Sequence, residues 1–309
     1  MTSPVPAGVE RPARLAVGVL GSGRVGSVLG AALRRAGHEV VALSAVSDAS
    51  LRRAQRLLPG VPVRTPPEVL AAADLVLLTV PDDVLPGLVG GLVQAGVVRP
   101  GQLVAHTSGR HGISVLLPAT RAGALPLALH PVMTFTGRPE DVDRLAGACF
   151  GITAPEELRP VAEALVLEMG ADPQFVDEDA RVLYHAALAA ASNHLAALLN
   201  ESVDLLRDCG ISEPERLIGP LAGAALDNSL RAGDAALTGP VARGDAGTVR
   251  AHLTALRSRS PRTVPSYVAM ARLTALRALD AGLLTPRAVA ELLDLLTEDA
   301  GPDRDEPTA

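Results

Sequence analysis

The chain has 309 residues and is 48% hydrophobic, which suits two domains of ordinary size with a sizeable core. Aromatic residues are only 2%, there is no Trp, and the net charge is −6, so base-stacking platforms and basic surfaces are poorly supplied. Nucleic acid and anionic membrane are excluded as main partners, and the two distant cysteines, Cys149 and Cys209, suit reduced thiols in a cytoplasmic protein.

Residues 1–13 are polar and Pro-rich, lack the apolar core of a signal peptide, and read as a disordered tail. Residues 15–20 read as a buried strand. Gly21, Ser22, Gly23, Arg24, Val25 and Gly26 follow at once, then a helical pattern to Arg35. This strand–GxGxxG–helix order is the dinucleotide fingerprint: Gly21 for the tight turn, Gly23 for close approach to a pyrophosphate, Gly26 for packing of helix on strand. Further strands are predicted at 39–44, 61–64, 74–80, 102–106, 125–131, 149–153 and 173–176, alternating with helices. Alternation of this kind builds a doubly wound parallel sheet with ligands beyond the C-terminal strand ends. That rule collects Gly21–Gly26, Ser44, Thr79, Val80, Pro81, Ser108 and His130 at one crevice. Asp82 reads as the cap of the next helix.

After Glu178 the strand signals stop. A helix of about 30 residues, on the order of 45 Å long, opens the second half and ends near Gly210. Shorter helices are predicted near 213–230, 245–258, 263–281 and 286–297. The fold class is therefore α/β followed by all-α: a Rossmann domain over 14–177, a helical domain over 178–297, and a disordered acidic tail over 298–309. No run of about 18 purely apolar residues occurs, so no membrane span is expected.

The end of the second strand bears on the cofactor. NAD-specific sites place a carboxylate there, whereas here Ser44 is followed by Ala45, Val46 and Ser47. Without that carboxylate a 2′-phosphate meets no repulsion, and NADP is favoured over NAD. Arg24, Arg52 and Arg53 could supply charge, or Arg52 and Arg53 could simply form a solvated helix face. Thr79, Val80 and Pro81 sit where the backbone would meet the cofactor. His106, His111 and His130 lack compact ligand spacing, so no metal site is expected. Ser108 is placed to hydrogen-bond substrate or nicotinamide, and His130 to shape the loop over the site.

On the long helix, at 100° per residue, His185, Ser192 and Asn193 share one broad face. They serve either a ligand cleft or a polar packing network. In the loop at 237–245, Thr238 and Arg243 are candidates for a substrate anion, unless Arg243 merely pairs with an Asp.

The glycine motif, the Thr79–Asp82 strand exit and the long helix together resemble the 6-phosphogluconate dehydrogenase-like superfamily, which includes pyrroline-5-carboxylate reductases and ketopantoate reductases. The HTSG, LHP, YHAA…ASNH and TGPVARGD stretches resemble a branch of Rossmann-like proteins with a C-terminal helical domain of unknown function. The resemblance implies an NADP-dependent oxidoreductase acting on a small carbonyl or imine acid, and a homodimer. Hydroxyacid dehydrogenases and ketopantoate reductases use a lysine as proton donor, but all 28 basic side chains here are Arg. His185 occupies a comparable place as general acid/base, and Asn193 or Ser192 positions the substrate. The alternative is a protein that binds or senses NAD(P) without turnover.

Overall fold

A computed structural model describes residues 14–297, so the two tails expected at 1–13 and 298–309 lie outside the described residues. The chain forms two compact units that divide between Ala191 and Ser192. The division falls inside the long helix, later than the sequence boundary at 177/178, because the first turns of that helix anchor to the sheet through buried Arg181.

In the first unit the elements run β1 (Ala16–Leu20), α1 (Arg24–Arg35), β2 (Glu39–Ser44), α2 (Asp48–Leu57), α3 (Pro66–Ala72), β3 (Leu75–Leu78), α4 (Leu85–Gln94) and β4 (Leu103–His106). They continue with α5 (Leu117–Arg121), β5 (Leu125–Val132), α6 (Glu140–Arg144), β6 (Cys149–Thr153), α7 (Arg159–Glu168), β7 (Asp172–Phe175) and α8 (Arg181–Ala189). The sheet has seven strands in the order β2-β1-β3-β4-β5-β6-β7. The expected strand at 61–64 is reduced to one bridge, Leu43 to Val63, at the outer edge of β2, where Pro62 offers no N–H. Counting that bridge as a strand restores the 3-2-1-4-5-6 order of a dinucleotide-binding sheet.

Successive strand residues face opposite sides, so one apolar run feeds two cores. Val17, Val19, Leu75 and Leu77 pack with α1 and α7, while Leu20, Val76, Leu78 and Val104 pack with α3 and α4. β5 and β6 pair antiparallel, which corrects the all-parallel expectation. A parallel return needs a full crossover helix, and the connection here carries only the five-residue α6. β6 and β7 are parallel around α7, as the βαβ reading requires.

The second unit holds α9 (Leu195–Asp208), α10 (Pro214–Ala232), α11 (Gly239–Ala242), α12 (Ala246–Arg259), α13 (Val264–Asp280) and α14 (Pro286–Thr297). Its core, including Val249, Leu253, Ala275, Leu292 and Leu296, comes from α11 to α14. α9 buries no residue and α10 buries only Pro214. The helical run Glu178–Asp208 is long and apolar enough, by length and composition, to cross a membrane, and its apolar window is 0% buried. A π-helical turn, Ala190–His194, interrupts the run.

Candidate functional site

The strand register levels Leu20, Leu78 and His106 across β1, β3 and β4, so the residues after them emerge at one edge. Gly21 has φ 94°, a left-handed conformation, and a Cβ there would lie 2.8 Å from the Thr79 carbonyl oxygen. A Cβ on Gly26 would collide with the Thr79 hydroxyl, so α1 can start this close to β3 only with glycine. Thr79 Oγ1 donates to the Gly21 carbonyl at 2.6 Å, and the Gly21 N–H donates to Ser44 Oγ at 3.0 Å. Ser44 and Thr79 thus brace the turn from both sides.

The turn fits a dinucleotide pyrophosphate. α1 has no side-chain cap and no acidic residue in its first turn, so its leading N–H groups are unclaimed by side chains. Gly23 is open, with no atom nearer than 3.8 Å to a Cβ built there. Ser22 is 1% exposed and its hydroxyl has no hydrogen-bond partner among the described residues, a buried polar atom left for a ligand.

Near the same turn, the loop after β5 reaches Gly137, whose φ is 76°. A Cβ there would collide with Arg53 and lie 3.2 Å from Arg24 Cγ, so the two arginines converge over a glycine. The Nε of Arg53 is buried without a hydrogen-bond partner among the described residues. The loop is held by Asp141, which accepts N–H bonds from Thr136 and Gly137, each at 2.7 Å. Burial raises the Asp141 carboxyl, but those N–H groups and the Thr136 hydroxyl outweigh it and leave the group below the ordinary carboxylate range.

A cavity of about 470 Å³ is lined by Arg24, Thr79, Asp82, Ser108, His130 and His185, among others. His106, just behind it, is spoken for: Nδ1 accepts from the Ser108 N–H at 3.2 Å, so Nε2 carries the proton and donates to the Gly112 carbonyl at 2.8 Å. Burial is the main cause that lowers it to about 4, so it is a neutral structural histidine. Ser108 Oγ accepts the His111 N–H at 3.1 Å, which orients the hydroxyl and leaves its own proton to donate. Asp82 does not cap α4, whose N-cap is Val84; it faces Arg110 at 3.8 Å instead.

His130 and His185 pack edge to face. A Cβ on Gly109 would lie 2.9 Å from His130 Nε2 and 2.5 Å from His185 Cδ2, so glycine is required where the two rings meet the loop. His130 Nδ1 is 2.8 Å from the Tyr184 hydroxyl. Burial, followed by the positive charge of Arg181, lowers His130 to about 4. Arg181 is 1% exposed and plugs into the sheet: Nε donates to Thr153 Oγ1 at 2.7 Å, and Nη2 donates to the Ala128 and Gly151 carbonyls, each at 3.1 Å. Its Nη1 has no hydrogen-bond partner among the described residues. Arg181, Tyr184, Gly109 and Gly151 were not singled out in the sequence. Tyr184 beside His185 is the one local signal among them, since in sequence a buried Arg looks like any other Arg.

The other predicted site residues belong to the second unit. Ser192 and Asn193 lie in the π-turn, where the 100° spacing that puts them on the face of His185 no longer holds. Both are exposed. Thr238 and Arg243 belong to the second unit. Thr238 is the N-cap of α11 without a side-chain bond, and Asp245 caps α12 through the Thr248 N–H at 3.0 Å. Arg243 is exposed, and its positive charge is one of the influences that lower the Asp245 carboxyl, after the Thr248 hydrogen bonds.

Residues 1–131 match the family model of a Rossmann-like domain, and residues 148–274 match that of a domain of unknown function, DUF2520. No curated protein matches the chain. Among solved structures, the fold is shared with a candidate NADP oxidoreductase from Bacteroides fragilis, at 21% identity and TM-score 0.71 over 85% of this chain and 98% of that one. It is shared with an imine reductase from a Pseudomonas species, at 18% and 0.59 over 92% and 93%. It is also shared with a pyrroline carboxylate reductase from Plasmodium falciparum that holds NADP, at 11% and 0.57 over 90% and 98%. Two family models thus match successive parts of the chain, a Rossmann-like domain and then a domain of unknown function, in the order that the glycine motif and the helical second half lead one to expect.

Proposed function

We propose that the protein is an NADP-dependent reductase that delivers a hydride to a small carbonyl or imine acid, ketopantoate-like or pyrroline-carboxylate-like. The observation that carries this reading is the cavity beside the glycine turn, where His130 Nε2 and both ring nitrogens of His185 have no protein partner among the described residues. The nicotinamide, when bound, supplies the hydride. His185 moves the proton that a lysine moves elsewhere in the superfamily, and Ser108 donates a hydrogen bond to substrate or cofactor.

NADP is preferred over NAD because Arg24 and Arg53 converge over Gly137, and because the end of β2 carries Ser44 in place of a carboxylate. The names of the structural neighbours, an NADP oxidoreductase, a pyrroline carboxylate reductase and an imine reductase, support the same class. A homodimer completes the reading. α9 and α10 bury almost nothing within the chain, and Leu221 and Leu230 are 72% and 80% exposed.

The test is NADPH oxidation against a panel of 2-oxo acids and cyclic imine acids. Wild type is expected to turn over at least one, and His185→Ala to lose about 100-fold or more in kcat, the ordinary worth of a positioned acid. Full activity in His185→Ala overturns the acid role. Tight NADPH binding with no turnover of any compound favours a binding or sensing protein instead.

A further inference from the structure

Two histidines line the cavity, and they are not equivalent. His130 sits on β5 directly opposite Gly151 on β6, in antiparallel register. A Cβ on Gly151 would occupy the position of the Tyr184 hydroxyl, so the absent side chain creates the slot in which that phenol stands beside His130. Arg181, one turn earlier on α8, binds the Gly151 carbonyl and lies with its guanidinium carbon 5.7 Å from the centre of the Tyr184 ring. Tyr184 thus stands on a prepared floor.

The hydrogen-bond inventory then sets the direction of the bond. The phenol remains protonated: burial raises it, and the Arg181 charge only partly opposes that. Among the described residues His130 Nδ1, at 2.8 Å, is the side-chain partner of the Tyr184 hydroxyl, and the Gly151 backbone engages the phenol oxygen, which leaves Nδ1 as the acceptor for the phenol proton. The phenol proton therefore points at Nδ1. An imidazole that accepts at Nδ1 and is neutral carries its proton on Nε2. Nε2 is the atom that faces Gly109 and the cavity.

We propose that Tyr184 locks His130 as the Nε2–H tautomer, making His130 a neutral hydrogen-bond donor to an oxygen of the substrate, with Arg181 as a positioning residue behind the pair. The two histidines then divide the work. His130 polarises the oxygen and keeps its proton; His185 is the one that transfers a proton. A neutral imidazole in this role leaves no fixed positive charge beside the transferring hydride. The substrate half of this inference rests on the reductase reading, while the tautomer does not.

The experiment has two arms. Imidazole nitrogen NMR on the uniformly labelled full chain at pH 7, without cofactor, is assigned by loss of the signal in His130→Gln. His130 is expected as a single neutral Nε2–H tautomer, and Tyr184→Phe is expected to give a tautomer mixture. A wild-type Nδ1–H form, or no change in Tyr184→Phe, overturns the proposal. In the kinetic arm, Tyr184→Phe should lower kcat about tenfold or more with KM within about twofold. His130→Gln, whose amide keeps a donor, should retain more kcat than His130→Ala; equal loss in both overturns the donor role even if Tyr184→Phe does not fold. If the tautomer result holds and no compound is reduced, the reductase reading fails and the substrate role of His130 falls with it, while the Tyr184–His130 lock stands.

Discussion

The rings of His130 and His185 meet edge to face, with centroids 5.8 Å apart and planes at 77°. One ring comes from a sheet strand and the other from α8, and Gly109 of the loop after β4 is the third side of the contact. Three separate elements therefore fix the spacing of two imidazoles at the end of the cofactor crevice.

Gly109→Ala tests that spacing directly. Its methyl would press on His130 Nε2 and His185 Cδ2 at 2.9 and 2.5 Å. The rings must part, and we expect kcat/KM to fall about 100-fold, as for a displaced catalytic group. NADPH affinity should change less, because the added methyl meets the two imidazoles and not Gly21 to Gly26. Steady-state kinetics beside a fluorescence titration separate the two outcomes; equal losses in binding and turnover would contradict the assignment.

Acid should destabilise the fold through His106 and His130. Each is lowered from 6.5 to about 4 in the native state, chiefly by burial. The unfolded chain takes up protons near pH 6.5 and the native chain only near 4, so stability falls as pH drops through that window. Between pH 7 and pH 5 the loss is about 2 kcal/mol for each histidine. Urea melts at the two pH values measure it, and His106→Gln should flatten the slope. A flat profile in wild type would show that these rings are not held neutral.

Arg53 should carry cofactor choice. Its buried, unpartnered Nε and its convergence with Arg24 over Gly137 suit a phosphate. We expect Arg53→Gln to weaken NADPH binding about tenfold or more while leaving NADH nearly unchanged, the difference being one charge-assisted contact. Isothermal titration with both nucleotides decides it. Equal weakening of the two would place Arg53 away from the 2′-phosphate.

Gly151→Ala should cost stability and function together. The added methyl takes the place of the Tyr184 hydroxyl, so the phenol must leave its slot. Overpacking of this kind costs about 1–3 kcal/mol. Denaturant melts should show that loss, and the imidazole spectrum of His130 should match that of Tyr184→Phe. An unchanged spectrum would mean that Tyr184 can keep its bond from another position.

The exposed leucines of α10 should hold two copies together. We expect wild type to sediment as a dimer and the double variant Leu221→Glu with Leu230→Glu to sediment as a monomer. A monomeric wild type at micromolar concentration would leave those leucines without the proposed role.

Local pattern was enough for much of the chain. The apolar strands, the GxGxxG turn with Gly21 and Gly26, and the ends of α12 to α14 are properties of short stretches, and chain neighbours dictate them. So did the crowding of Thr79, Ser108, His130 and the glycine turn at one edge, since parallel strands bring their C-terminal ends together. Direction and partnership belonged to the tertiary structure. The antiparallel turn of β6 depends on how much helix fits between it and β5. The reduction of the strand at 61–64 to a bridge depends on having only an edge to pair with. The π-turn at Ala190–His194 breaks a spacing that the helical period alone would have kept. Above all, the choice among His106, His130 and His185 needed contacts between residues far apart in sequence. His106 is closed off by Ser108 and Gly112, His130 is held by Tyr184 across from Gly151, and His185 keeps both ring nitrogens free among the described residues. A histidine's chemistry is set by what occupies its two nitrogens, and only the folded chain brings those occupants within reach.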